Sequence, residues 1–263
     1  MSMKSALIIS GSVLGAAQGI YWLIPSREPS PEELYRQYME LSPFQQFDQK
    51  DVLLKKAAEA GYAPAVLQMA EDNFTDKKDL KEQEHDFWIK KAADQGDPKG
   101  QWEAYMSLDL PDDESLGYLM KAAGQSHGPA LLELGGLYAS GDEDYQIVRD
   151  EGKALKLYRQ AAEANFPDAL YLLYLLDKLN IFPLTEEEKK TDIYRRYLKA
   201  ARKENEVLYP AFTDIQELTP DQCESISNFL RASMPNHEKV EPSLKKIEEE
   251  MFRKIKKGHP KSV

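Results

Sequence analysis

The side chains able to do nucleophilic, acid–base or metal chemistry are few: one cysteine, four histidines and short carboxylate runs. A single cysteine, Cys223, forms neither an intrachain disulfide nor a thiolate zinc site, and it has no sequence-local base to activate it. Glu84-His85-Asp86 lacks the His-Glu-x-x-His spacing that sets two imidazoles on one helix face, and reads as a solvated histidine in a charged stretch. His127 falls in a turn between helices. His237 and His259 lie in polar C-terminal segments, without a cysteine or second histidine at ligand spacing. Asp112-Asp113 and Glu186-Glu187-Glu188 read as helix starts, where the positive end of the backbone dipole favours carboxylates. No glycine-rich phosphate loop and no G-x-S-x-G elbow occurs. The expectation is a chain with no catalytic residue, no metal site, no cofactor and no small-molecule substrate.

Surface for another polypeptide is what the composition offers instead. Of 263 residues, fourteen are Tyr and three Trp, and large aromatics are the usual anchors of protein interfaces. Trp88, Trp102, Tyr105, Tyr118, Tyr158, Tyr194 and Tyr197 stand on candidate helices and are the candidate partner-binding residues, packing between helices being the competing role for most of them. A net charge of -11 works against nucleic acid, whose phosphates need clustered Lys and Arg, and favours basic partners.

The elements that must carry these side chains repeat. Ala-Ala pairs begin at 57, 92, 122, 161 and 200, offsets of 35, 30, 39 and 39, each closing an apolar run spaced by three and four. Four residues after the first Ala of each pair stands Gly61, Gly96, Ser126, Asn165 or Glu204. Gly or Asn there supplies the left-handed residue that ends a helix. Eight residues after it comes Ala65, Gly100, Ala130, Ala169 or Leu208, mostly small, so that a second helix can approach the first closely. The unit is a helical hairpin. One hairpin cannot bury its own apolar face, so neighbours must stack.

The fullest copy, Leu134-Gly135, Tyr138, Gly141, Ala154, Tyr158, Ala161-Ala162, Asn165 and Ala169, resembles the Sel-one-like repeat, a relative of the tetratricopeptide repeat. The resemblance spans about residues 45 to 215. It weakens in the fifth copy at Glu204 and Leu208, and the first two copies lack the Leu-Gly pair, so their second helices are expected to pack less closely. It implies an all-α, α/α superhelical solenoid of about five hairpins with a concave face. Tyr105 and Tyr194 are the aromatics least constrained by the pattern. Residues 216–263 read as C-terminal capping helices: one opened by Thr219-Pro220-Asp221-Gln222, one by Pro242-Ser243, ending in a basic tail from Phe252 to Val263. That tail reads as solvated, with docking on anionic lipid or an acidic partner as the alternative.

Residues 1–25 form a further unit. Ala6 to Ile24 carries no charge over 19 residues, close to the ~20 of a bilayer-spanning helix. An uncleaved anchor fits better than a signal cut after Ala17, because the cut would leave Ile20 to Ile24 exposed. Residues 26–44 then supply a proline-stiffened linker and a lead-in helix capped by Ser30. The expected place is the periplasm, anchored in the inner membrane through residues 6–24, or free in the periplasm if the segment is cleaved. Sel-one-like repeat proteins with such a segment accompany antibacterial effectors of the type VI secretion system. The resemblance therefore implies an immunity protein that occludes a toxic effector, such as a phospholipase. The alternative is a membrane-anchored scaffold assembling envelope or secretion components, and a cell-wall hydrolase hidden in the repeats stands third.

Overall fold

The computed structural model describes residues 28–41, 47–73, 80–204, 208–235 and 237–256. The expected anchor, the cleavage site, the start of the linker, His259 and the last seven residues lie outside them. Thirteen helices and no strand occur among the described residues, and none of these helices is long and apolar enough to cross a membrane.

The lead-in helix α1 (Pro31–Glu40) is capped by Ser30, whose hydroxyl accepts from the Glu33 amide at 3.2 Å. Four hairpins follow: α2 (Phe47–Glu59) with α3 (Ala63–Asn73), α4 (Leu80–Asp94) with α5 (Pro98–Ser107), α6 (Asp112–Gly124) with α7 (Gly128–Ser140), and α8 (Glu151–Glu163) with α9 (Pro167–Lys178). From α1 to α9 each helix packs on the next in the chain, the nearest-neighbour pattern of a solenoid.

The Ala-Ala pair is where each hairpin turns. In all four copies both alanine carbonyls accept a reversed hydrogen bond: Gly61 and Tyr62 donate to Ala58 and Ala57, Gly96 and Asp97 to Ala93 and Ala92, Ser126 and His127 to Ala123 and Ala122, and Asn165 and Phe166 to Ala162 and Ala161, at 3.0 to 3.1 Å. This double closure requires a left-handed residue just past the helix. Gly61, Gly96, Ser126 and Asn165 supply it with φ of 87°, 87°, 62° and 60°. Ser126 thus takes the conformation in spite of its side chain.

The small residue that follows sets the crossing. A Cβ on Gly100 would lie 2.5 Å from that of Ala92, so the second hairpin closes as tightly as the backbone allows. The missing Leu-Gly pair therefore does not loosen this crossing. Gly135 serves a different contact, since a Cβ there would meet the Tyr158 ring at 2.5 Å. The Leu-Gly glycine makes room for the tyrosine of the next hairpin. Neighbouring helices are also stitched by side chains that give two of these carbonyls a second donor: Lys91 donates to the Ala58 carbonyl at 2.9 Å and Arg196 to that of Ala162 at 2.7 Å.

The fifth copy departs from the expected hairpin. A short helix α10 (Glu186–Lys190), capped by the Thr185–Glu188 box, leads to α11 (Ile193–Glu204), which packs on α9. No helix starts at Leu208. Residues 208–214 run irregularly, and tyrosine hydroxyls meet their backbone. Tyr171 donates to the Pro210 carbonyl, Tyr174 to that of Phe212 and Tyr194 to that of Tyr209, each at 3.0 Å, while Tyr197 accepts from the Tyr209 amide at 2.6 Å. Pro210 offers no amide, and Glu204 and Leu208 lack the small side chains of the other turns.

The C-terminal pair α12 (Pro220–Ser233) and α13 (Glu241–Lys256) does more than cap the end. Helix α12 folds back against α7, where Gly136 faces the Ser233 carbonyl, and Phe229 packs on Tyr171 of α9 at 5.3 Å between ring centroids. The start of the expected tail is helical as well. Lys254 donates to the carbonyls of Gln216 and Leu218, and Arg253 pairs with Glu250.

Candidate functional site

The seven expected aromatics divide sharply. Trp88, Tyr118, Tyr158 and Tyr197 are buried. Tyr118 bonds to Asp94 and to Lys90, which in turn holds Glu114 at 2.6 Å. The Tyr158 hydroxyl donates to the Ser233 carbonyl at 3.1 Å, and burial pushes the Tyr197 hydroxyl up to about 12. These four pack the solenoid and present no face to a partner. Tyr194 is half-buried and spent on the 208–214 segment. Trp102 and Tyr105 on α5 remain, their rings tilted against each other at 5.7 Å between centroids, with Tyr105 donating to Glu133 at 3.2 Å. Burial, then Glu133, raise the Tyr105 hydroxyl above its ordinary range.

Trp102 stands in a groove of about 800 Å³ walled by the second helices α5, α7 and α9 on one side and by α12 on the other. Most of its lining is apolar, with Trp102, Met106, Leu132, Leu137, Phe166 and Phe229, and Ser225 and Asn228 of α12 add polar side chains. Met106 is 58% exposed there. The charged side chains that line it are Glu133, Asp142 and Asp168. Glu133 accepts from Tyr105 and Asp142 from the Tyr145 amide, whereas Asp168, in the first turn of α9, is half-buried with its carboxyl raised by burial and by Glu204. Short spacing in sequence could not reveal this site, because α12 joins α7 from about a hundred residues away. Met106, Phe166, Asp168 and Phe229 carried no signal of their own.

Two smaller clefts lie apart from it. One, about 670 Å³, is bounded by Phe87, Lys90, Asp94, Leu108 and Leu110. The other, about 500 Å³, sits under the 141–150 loop between Leu116, Tyr138 and Val148, the last 83% exposed.

The groups with chemical potential are dispersed over the fold. Cys223 is buried and burial raises its thiol above the ordinary range, away from thiolate reactivity. His85 is half-buried rather than solvated, with Nδ1 3.1 Å from Asp86. His237 is buried in the body rather than held in a polar surface segment, its Nε2 without a hydrogen-bond partner and 3.6 Å from Glu151. Asp112-Asp113 and Glu186-Glu187-Glu188 occupy first helical turns. Among the described residues no group of three or more His, Cys, Asp or Glu side chains could hold a metal ion. What the arrangement offers is a shaped recess, largely apolar and edged by carboxylates.

No protein-family profile matches the sequence, and none of the curated proteins does. Solved structures do. The immunity protein PA5088 of Pseudomonas aeruginosa is 22% identical and aligns over 91% of this chain and 90% of its own, with a TM-score of 0.44. The uropathogenic Escherichia coli protective antigen c5321, described as having an SLR fold, is 14% identical over 86% of this chain and 46% of its own, with a TM-score of 0.47. A Sel1 repeat protein from Oxalobacter formigenes is 16% identical over 88% of this chain and 91% of its own, with a TM-score of 0.52. That last likeness, with the repeated turn and crossing described above, makes this chain a solenoid with the Sel1-repeat fold.

Proposed function

We propose that this chain is a protein-binding repeat module of the cell envelope that acts as an immunity protein. It neutralises an antibacterial effector of the type VI secretion system, of which a phospholipase is the expected kind, by stoichiometric occlusion. The observation that carries the reading is the groove between α5, α7, α9 and α12: an apolar recess with Trp102 and Met106 accessible and three carboxylates around them. Such a surface binds by burying a few anchors, and its negative charge speeds the capture of a basic partner. Tethering through residues 6–24 would hold it on the periplasmic face of the inner membrane, where a lipase attacks.

The test is co-expression of the chain with a toxic type VI effector taken from a neighbouring gene, the effector directed to the periplasm. Survival that depends on residues 28–263 supports immunity. Cell death at the same rate with and without the chain refutes it. The scaffold reading draws on the two smaller clefts, which leave room for more than one partner. It requires several envelope components to co-purify at comparable stoichiometry, and one tight partner at one-to-one removes it.

A further inference from the structure

Resting on the protein-binding reading, we infer that the groove takes a partner segment that presents a Lys or Arg beside an apolar side chain, the cation pairing with Asp168 and the apolar group seating between Trp102, Leu137 and Phe229. Charge complementarity carries the assignment. The groove is lined by three carboxylates and, among the described residues, by no Lys, Arg or His, although the chain has 34 Lys and Arg elsewhere. Many carboxylates outside the groove have a cation: Glu114 has Lys90, Glu71 has Lys99, Glu188 has Arg159 and Glu248 has Arg231. Glu133 and Asp142 are engaged internally by Tyr105 and the Tyr145 amide. Asp168 forms no ion pair among the described residues, and it stands half-buried beside Phe166 with Glu204 as a like-charged neighbour. A half-buried carboxylate in an apolar wall is costly alone and gains most when an incoming cation arrives as water is expelled. The seat for the apolar group is already built, because α12 is locked in place by the Tyr158–Ser233 hydrogen bond.

The experiment titrates the full chain, held in a nonionic detergent, with a short amphipathic helical peptide of leucine and lysine and with its leucine–glutamate counterpart. Calorimetry is expected to give at least about tenfold tighter binding for the lysine peptide. Asp168→Asn weakens it by about threefold or more, and Met106→Lys, which supplies a cation from an exposed position, abolishes the preference. Glu187→Gln removes an equal charge from the exposed start of α10 and leaves binding unchanged. Equal binding of the two peptides, no binding of either, or an equal loss in Glu187→Gln overturns the assignment. So does tighter binding by a chain ending at residue 256, since the chain's own basic tail would then occupy the groove. A dimer dissolved by Asp168→Asn also overturns it, in favour of a second copy as occupant. The two readings fail separately. Protection from the effector that survives both Asp168→Asn and Met106→Lys removes the groove and leaves immunity standing, whereas peptide discrimination without protection removes immunity and leaves the groove.

Discussion

At four turns the chain needs a residue with positive φ, and it fills the position with Gly61, Gly96, Ser126 and Asn165. Asparagine tolerates the left-handed region and glycine enters it freely, while serine does so at a cost. Ser126→Gly should therefore stabilise the fold by about 0.5 kcal/mol, and Gly96→Ala should destabilise it by about 1 kcal/mol, although nothing stands within 4 Å of a Cβ at Gly96. Urea titration of each variant reads both. Crossing contacts set a second requirement. Gly100→Ala drives its methyl into Ala92 and its backbone, and Ala161→Leu overfills a fully buried site, so each should cost about 1 to 3 kcal/mol. These roles were legible in the sequence, because a turn and a crossing depend on residues four and eight positions apart. The fate of each aromatic was not. Tyr158 and Trp102 look alike in sequence, and only Gly135 and Ser233, brought in from other helices, decide that one is core and the other faces the groove.

Elements read well wherever a local pattern fixed them: the Thr219 cap with Gln222 and the acidic first turns of α6 and α10. The failures came where one element depends on another. The fifth hairpin is open because Tyr171, Tyr174, Tyr194 and Tyr197 satisfy the 208–214 backbone from α9 and α11. The C-terminal pair folds back because the turn between α12 and α13 is clasped to the start of α8. Glu151 there meets Lys239 at 2.5 Å, Arg149 at 2.8 Å and His237 at 3.6 Å. Burial first, then Arg149, hold the His237 imidazole below its ordinary pKa against the pull of Glu151, and burial does the same to His127. A histidine depressed in the folded state leaves the unfolded chain binding more protons as pH falls through about 6.5. Stability should therefore be full above that value and decline on acidification towards pH 5.5. Melting curves of His127→Gln/His237→Gln should show a flatter slope over that window than the parent, and an unchanged slope would place the titration elsewhere.

On the scale of the whole molecule, the buried residues form two cores that meet within α6. Tyr118 belongs to the smaller core with α1 to α5, and Leu119 to the larger one with α7 to α9 and α11 to α13. A solenoid with nearest-neighbour contacts and a divided core should not unfold as one unit. Amide exchange of α2 to α4 is expected to be faster than that of α7 to α9, with the latter protected as a block by the returning α12. Uniform protection along the chain would refute the division. The same fold-back builds the groove on which the functional account depends, so recognition and C-terminal stability are linked. The most direct test adds the purified chain stepwise to the toxic effector against which it protects in co-expression and follows the effector's activity. The account predicts a linear fall to zero at one equivalent, shifted to higher ratios by Met106→Lys. Activity undiminished by an excess of the chain would contradict it.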